Sequence, residues 1–392
     1  MRQCRQEAAS LLRLGNAYQS LGQYERAIEK YQESRAKLRK IGDRRFQAHA
    51  LSYLGKAFHA IGQHSEAIKH YWQCLVIMRE IGASQGEAKV LGYLGVGFDS
   101  LGQHSEAIEY YQEALKIQRS ISYSQGEATS LCQIGNAYRA LGEYSEAISC
   151  YRQSLAIARE IGARQKEADS LGNLGKAFRS LGEYSEAISY YQQSLKIARE
   201  IGYAQGEAAC LGNLGVALGS LGQHQKAISF HQQCLAIERE IGHPAGEANS
   251  LSNLAKVFRS LGQYKEAIAC YRQSLAIKRD LGDLRGQAIS WFNIGASLTK
   301  LGKESEAIAA YRNASYLYRA INLESDLEKC DRNINQLEAA QARRLYEFAF
   351  ASNREPATQI SKNSIGDRSE GSSLDFHAIV HWLTSVFGFI YN

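Results

Sequence analysis

The chain repeats itself every forty residues, without a gap, from its first residues through Asn322. One column of that repeat reads Leu14, Leu54, Leu94, Ile134, Leu174, Leu214, Leu254, Ile294. The next is glycine at 15, 55, 95, 135, 175, 215 and 295, with Ala255 as the one exception. Gly22 and its seven equivalents to Gly302 are invariant, as are Ala27-Ile28 and their equivalents; Tyr31 recurs seven times, with His231 as the one change. A unit of this size cannot bury its apolar face alone, so neighbouring units must stack and share a core.

The apolar columns fall three and four apart, which is helical spacing. In one unit, residues 165–180 form a first helix with Ala168, Leu171, Leu174 and Phe178 on one face. Leu181-Gly182-Glu183 makes the turn, where glycine supplies the left-handed conformation that closes a helix. Residues 184–200 form a second helix carrying Ala187, Ile188, Tyr191, Leu195 and Ile197, and Ile201-Gly202 leads into the next unit. Two prolines in 392 residues, Pro244 and Pro356, leave long stretches free to be helical. The glycine at 175 and its equivalents lies inside the first helix at a cost of about 1 kcal/mol each relative to alanine. The reason expected is a close helix–helix approach that a methyl group would disturb.

The run Leu171-x-x-Leu174-Gly175-x-x-Phe178, followed by Ala187, Tyr191 and Ser194, resembles the tetratricopeptide repeat, and Trp291 supplies the tryptophan often found at the first of these columns. The resemblance covers residues 4–323. It departs from the family in its forty-residue unit, where thirty-four is usual, and in a column of arginine (Arg39, Arg79, Arg119, Arg159, Arg199, Arg239, Arg279, Arg319) where a proline usually closes the second helix. The longer unit is similar to those of Pins-type polarity adaptors, kinesin light chains and bacterial multi-repeat proteins. No G-protein-binding motif of the polarity adaptors follows the repeats, so that function is not carried over. The fold expected is all-α: a right-handed α-solenoid of eight helix-turn-helix repeats over residues 1–323, with a capping helix over 324–349. The arginine column reads as cations in the last helical turn complementing the helix dipole, for about 0.3–1 kcal/mol each, in preference to an anion ladder.

The resemblance implies that the first helices line a concave groove, so their non-core columns are the candidate binding surface. One runs Asn16, Lys56, Val96, Asn136, Lys176, Val216, Lys256, Ala296, and another Gln19, His59, Asp99, Arg139, Arg179, Gly219, Arg259, Thr299. Together they carry six positive charges and one negative. A neighbouring column adds Asn173, Asn213, Asn253 and Asn293, whose amides suit an extended peptide backbone. Lysine and arginine alternating with asparagine point to a protein partner presenting an extended or helical acidic segment, since arginine holds a carboxylate through paired hydrogen bonds and lysine acts as a point charge. Val96, Val216 and Phe292 are candidate apolar anchors. The function expected is a protein–protein interaction scaffold or adaptor; the alternative is a peptide-responsive sensor that regulates an effector.

A nucleic-acid-binding helical repeat is the alternative from another class. The net charge of +6, from 46 basic and 40 acidic residues, is too mild to announce it. The basic stripe has few aromatics between its charges and is broken at Asp99, Val216 and Gly219. No nucleophile–base–orienter set is present, which argues against an enzyme, and no cofactor is expected. Gly172-Asn173-Leu174-Gly175-Lys176 mimics a phosphate loop but lacks the leading glycine, at Ser170, and the hydroxyl after lysine, at Ala177. His377 and His381 have the spacing of a zinc-protease helix without its glutamate. Eight cysteines with no C-x-x-C pair read as packing residues in a reducing compartment. The N-terminus has no apolar signal core, so a cytoplasmic location is expected.

Beyond the repeats, Leu323, Leu327, Cys330, Ile334 and Leu337 make a one-face stripe suited to a helix shielding the last repeat, with Asn322 as its N-terminal cap. Residues 350–375 are polar and read as a disordered linker. The apolar segment 376–392 has a run of sixteen residues from Phe376 to Tyr391, short of the roughly twenty that span a bilayer. Docking or disorder is favoured over membrane contact for it.

Overall fold

The computed structural model describes residues 2–352. Among these residues there are seventeen helices and no strand. They alternate as first and second helices of eight pairs, from α1 (Arg2–Ser20) and α2 (Tyr24–Lys40) through α15 (Leu284–Lys300) and α16 (Glu304–Ala320). The pair read from sequence at 165–180 and 184–200 is α9 (Arg164–Ser180) and α10 (Tyr184–Glu200). Each helix packs on the next along the chain, which makes the array an α-solenoid with a core shared between neighbours. Some successive first helices also touch directly: α7 (Ser124–Leu141) with α9, α9 with α11 (Ala204–Ser220), and α11 with α13 (Pro244–Ser260). Second helices do not approach one another to that extent, so the first helices form the inner layer of the curve.

The glycine inside each first helix has a specific neighbour. A Cβ built on Gly175 would lie 2.5 Å from Cε1 of Tyr191, and one on Gly135 would lie 2.6 Å from Cε1 of Tyr151. The same ring-on-glycine contact recurs at Gly15, Gly55, Gly95 and Gly295, and at Gly215 with the imidazole of His231. It is a side chain of the second helix, rather than its backbone, that occupies the space. Tyr31, Tyr151 and Tyr191 are completely buried as a result. Ala255 is the tolerated exception, fully buried beside an equally enclosed Tyr271.

A second contact ties the helices of a pair together. The hydroxyl of Ser34 donates to the carbonyl of Ala8 at 2.8 Å, Ser154 to Ala128 at 2.8 Å, Ser194 to Ala168 at 2.7 Å and Ser274 to Ala248 at 2.7 Å. Cys74 and Cys234 make the same bond through sulfur, each at 3.1 Å. Two of the eight cysteines therefore act as serine substitutes, and all eight are free thiols.

Successive pairs are joined across the linker. The arginine column does stand in the last turn of each second helix, and it also reaches the next repeat. The Nε of Arg79 meets Glu87 at 2.7 Å, Arg119 meets Glu127 at 2.7 Å, Arg159 meets Glu167 at 2.9 Å, Arg199 meets Glu207 at 2.7 Å and Arg239 meets Glu247 at 2.7 Å. Half-exposed pairs of this kind contribute about 0.2–1 kcal/mol each. At the two junctions where the partner column holds Gln47 or Gln287 the ion pair is absent.

The turns within the repeats and most linkers close on glycine at positive φ, such as Gly182 at 81° and Gly202 at 65°. Ser122 (54°) and Asn322 (56°) take that conformation without glycine's freedom. Asn322 thus closes α16 and does not cap the following helix, a correction to the sequence reading. The last helix, α17, spans Glu324–Ser352. Its Cys330, Ile334 and Leu337 are buried against the last repeat, as the stripe predicts for a capping helix. The chain divides into two compact units, Met1–Leu337 and Glu338–Asn392. Of the expected linker over 350–375, residues 350–352 belong to α17. The remainder, the segment 376–392 and the histidines at 377 and 381 lie outside the described residues.

Two outcomes follow from the buried column at position 191 and its equivalents. Gly175→Ala sets a methyl against Tyr191; overpacking of about 1–3 kcal/mol outweighs the gain of about 1 kcal/mol in helix propensity. Native-state hydrogen exchange in α9 and α10 should show a net loss of about 1 kcal/mol. His231, almost fully enclosed, has its pKa lowered from 6.5 to about 4 by burial, with Lys256 adding to the effect. The unfolded chain then binds the proton first, so stability falls as pH drops from 6.5 toward 4. The full difference is worth about 3 kcal/mol. Urea denaturation across that range should show the loss, and His231→Tyr should remove it.

Candidate peptide-binding groove

The inner face carries the residues read as binding columns. Asn16, Lys56, Asn136, Arg139, Asn173, Lys176, Arg179, Asn213, Asn253 and Arg259 are half-buried and Lys256 is exposed. All project from first helices at spacings of three and four, which places them along the layer the helices share.

The asparagines divide into two kinds. Oδ1 of Asn16 accepts from the hydroxyl of Tyr31 at 2.7 Å, and Oδ1 of Asn136 accepts from Tyr151 at 2.8 Å. These two amides complete the ring-on-glycine contact from above. Where lysine replaces asparagine in the same column, at Lys176 and Lys256, the hydroxyls of Tyr191 and Tyr271 are buried with no hydrogen-bond partner among the described residues. Asn173 is held by its own surroundings, donating to Sγ of Cys132 at 3.1 Å and accepting from Nζ of Lys176 at 3.2 Å. Asn293 donates to the carbonyl of Ile289 at 2.8 Å and accepts from Arg259 at 2.7 Å, so its amide is fully engaged. Among the described residues Asn213 has no side-chain hydrogen-bond partner, and Asn253 only accepts, from Lys256 at 3.4 Å. The amide donors of these last two stay open to the groove.

Among the described residues, none of the six cations in these columns has a carboxylate within ion-pair distance, although lysines and arginines elsewhere on the described surface are often paired. Nζ of Lys56 instead lies over the rings of Tyr93 (4.6 Å) and Tyr53 (5.8 Å). The Nε groups of Arg139 and Arg179 are enclosed without an acceptor. Burial, then the neighbouring Arg139, lowers the pKa of Lys176. The one carboxylate in the columns, Asp99, is taken by Nδ1 of His104 at 2.6 Å. Val96 and Phe292 pack into the core as half-buried residues, so of the apolar anchors only Val216 is absent from the core clusters.

Between α7, α9 and α11 the inner face deepens into a cavity of about 390 Å³. Asn136, Asn173, Lys176 and Asn213 line it together with Lys166, and Asp169 is its single carboxylate. Sequence columns did not anticipate it, because its depth depends on small residues (Gly172, Ala209, Cys210) contributed by different repeats. The apparent phosphate loop around Gly172 is mid-helix in α9, where backbone N–H groups are already paired. Among the described residues no group of three His, Cys, Asp or Glu is placed to hold a metal. No described helix is long and apolar enough to cross a membrane.

Tandem helix pairs that share a continuous core define a helical-repeat protein of the α-solenoid class. The family model described as "Tetratricopeptide repeat" matches residues 6–80, 66–120, 86–160, 126–200, 166–240 and 246–320. The chain belongs to that family, whose repeats serve protein–protein interaction. No curated protein matches at a significant level. Similar solved structures include the apo form of RapI, at 18% identity over 71% of this chain and 99% of that one, with a TM-score of 0.59. The apo quorum sensor NprR from B. thuringiensis is 16% identical over 79% of this chain and 87% of that one, with a TM-score of 0.59. A Rap protein complexed with Competence and Sporulation Factor is 14% identical over 86% and 99%, with a TM-score of 0.52. At these identities the likeness concerns the fold.

The division among the asparagines is testable by stability alone. Asn136→Ala strands the buried hydroxyl of Tyr151 and should cost about 1–3 kcal/mol, whereas Asn213→Ala should stay within about 0.5 kcal/mol of the parent. Chemical denaturation of the two variants, side by side, checks this.

Proposed function

We propose that this chain is an adaptor that holds an acidic segment of a partner protein in its inner groove. The observation that carries the reading is the run of six cations (Lys56, Arg139, Lys176, Arg179, Lys256, Arg259) along one face with no carboxylate partner among the described residues. Half-desolvated cations left without counter-charge cost stability, and a ligand carboxylate would offset that cost. In five junctions of the same repeats an arginine of the second helix does meet a glutamate of the next unit, so the chain can supply such partners and does not supply them in these columns.

The amide donors of Asn213 and Asn253 supply contacts to a peptide backbone. Asn16, Asn136 and Asn173 contribute to the groove chiefly by positioning, since their oxygens are already engaged. Exposed ion pairs are weak, about 0.2–1 kcal/mol each, so several must act together with apolar contacts to reach micromolar affinity, about −8 kcal/mol. Val216 and the aliphatic stems of the lysines offer such contacts. The eight unpaired thiols suit a reducing, cytoplasmic setting.

The test is a pull-down from source-cell lysate with the full chain and with its Lys176→Glu/Arg179→Glu form. Retained proteins are identified by mass spectrometry, and binding of their acidic segments is then measured directly. Partners should share such a segment and lose at least about tenfold in affinity, roughly 1.4 kcal/mol, while the helical circular-dichroism signal stays unchanged. Equal retention by both forms would place the binding surface on the outer layer.

A further inference from the structure

One column of the second helices, close to their ends, points back toward the groove floor. It reads Leu38, Met78, Gln118, Ala158, Ala198, Glu238, Lys278 and Tyr318. Leu38, Met78, Ala158, Ala198 and Tyr318 are buried core residues. Lys278 stands in the same place, 6% exposed, and this is an expensive position for a cation unless something compensates it. Its Nζ donates to the hydroxyls of Ser252 at 3.0 Å and Ser290 at 3.3 Å, and it makes no ion pair with any described residue.

Lys278 opens onto a cavity of about 450 Å³ between α13, α14 (Tyr264–Asp280) and α15. Lys256, Arg285, Asn253 and Tyr271 line it with Lys278, and Asp283 is its one carboxylate. Asp283 is occupied in accepting the backbone N–H of Gly286 at 2.8 Å. Three cations against one carboxylate leave the cavity with an excess of two positive charges. Tyr271, 1% exposed, adds a buried hydroxyl with no hydrogen-bond partner among the described residues. Gly286 gives room to the side chains beside it: a Cβ there would come 2.0 Å from Oδ2 of Asp283 and 2.8 Å from Cδ of Lys278.

We infer that this cavity is a carboxylate-binding pocket, with Lys278 as its floor, Tyr271 as a second donor, and Lys256 and Arg285 at its sides. A monoanion fits better than a phosphate dianion, because Asp283 remains in the pocket and repels the second charge. The pocket lies on the same face as Asn253 and Lys256, so its biological ligand rests on the groove reading above: a side-chain or C-terminal carboxylate of the acidic segment. Lys278 would then set specificity at one end of the groove, whereas Met78 and Leu38 at equivalent positions admit only apolar groups.

The experiment is an NMR titration of the full chain with small probes, following the backbone amides of Gly286 and Ser290. Acetyl-Ala-Glu-Ala amide presents a side-chain carboxylate only, acetyl-Ala-Ala-Ala a terminal one only, and acetyl-Ala-Ala-Ala amide neither. At least one of the first two should shift both signals saturably, and whichever does so identifies the source of the carboxylate; the third should not. Lys278→Met should lower that affinity at least about tenfold and raise the melting temperature, because the native array already accepts methionine at 78. Lys278→Leu, which copies the residue at position 38, provides the same loss should the first variant fold poorly. The idea fails if the neutral amide titrates as well as the acids, if neither variant weakens binding, or if inorganic phosphate binds more tightly than both acids. The Lys176→Glu/Arg179→Glu form separates the two readings. If partner capture survives that change while the acids still titrate Gly286 and Ser290, the pocket stands and the groove assignment falls.

Discussion

The ring of Tyr191 rests on the bare backbone of Gly175, and the equivalent contact, or its histidine version, is found in seven of the eight repeats. This contact sets the distance between the two helices of a pair, because a flat aromatic ring laid on glycine lets them approach more closely than any pair of larger residues. It also buries a phenol, and a buried hydroxyl needs a partner. In the first and fourth repeats that partner is an asparagine one position beyond the glycine, Asn16 or Asn136. Core packing thereby reaches the groove surface through a single hydrogen bond. At Lys176 and Lys256 the lysine stands where the asparagine would meet the hydroxyl, and Tyr191 and Tyr271 are left without that partner; these lysines, with Lys56, are three of the six cations of the inner face.

The remaining contacts divide by direction. Serine or cysteine to an alanine carbonyl holds the two helices of one pair, whereas arginine to glutamate joins one pair to the next. Both are local, spanning at most a few tens of residues, so stability accumulates from nearest neighbours as in other linear arrays. This has a consequence for function. When neither kind of contact uses the inner face, that face is free to vary from repeat to repeat without loss of fold. The variation is visible in the first-helix column Asn16, Lys56, Val96, Asn136, Lys176, Val216, Lys256 and Ala296, which passes between amide, cation and apolar side chain.

Electrostatics separates the two surfaces of the array. At five of the linkers an arginine meets a glutamate of the next repeat, and several lysines meet a glutamate nearby in sequence. Along the inner face Lys176, Arg179 and Arg259 have none among the described residues, and the one carboxylate in their columns, Asp99, is already bonded to His104. Half-buried cations without a counter-charge cost stability in the free protein. The cavities lined by Lys176 and by Lys278 are also lined by small residues of the neighbouring first helices, among them Gly172 and Gly286.

The amino-acid sequence by itself determined the architecture. Forty-residue spacing, helical periodicity and invariant glycines before Ala-Ile define eight helix pairs, because these features are local and are repeated eight times over. It also put the candidate columns on one side of the first helices, since residues one and four positions after Gly175 must share a face. It did not separate Asn136, which serves Tyr151, from Asn213, which serves nothing internal; both are asparagines on a first helix, and only packing shows which hydroxyl lies beneath. The arginine column was legible as a helix-end cation, yet its glutamate partners stood in plain view, with Gln47 and Gln287 marking the junctions that lack the pair. Asn322 reads locally as a cap and is instead a glycine substitute at positive φ. Lys278 was hidden most completely, because its meaning depends on Ser252, Tyr271 and Ser290 coming together from three helices. Periodicity reveals what recurs, and the pockets are made by what does not recur, so their chemistry was decided by tertiary contact between residues that the repeat pattern treats as unrelated.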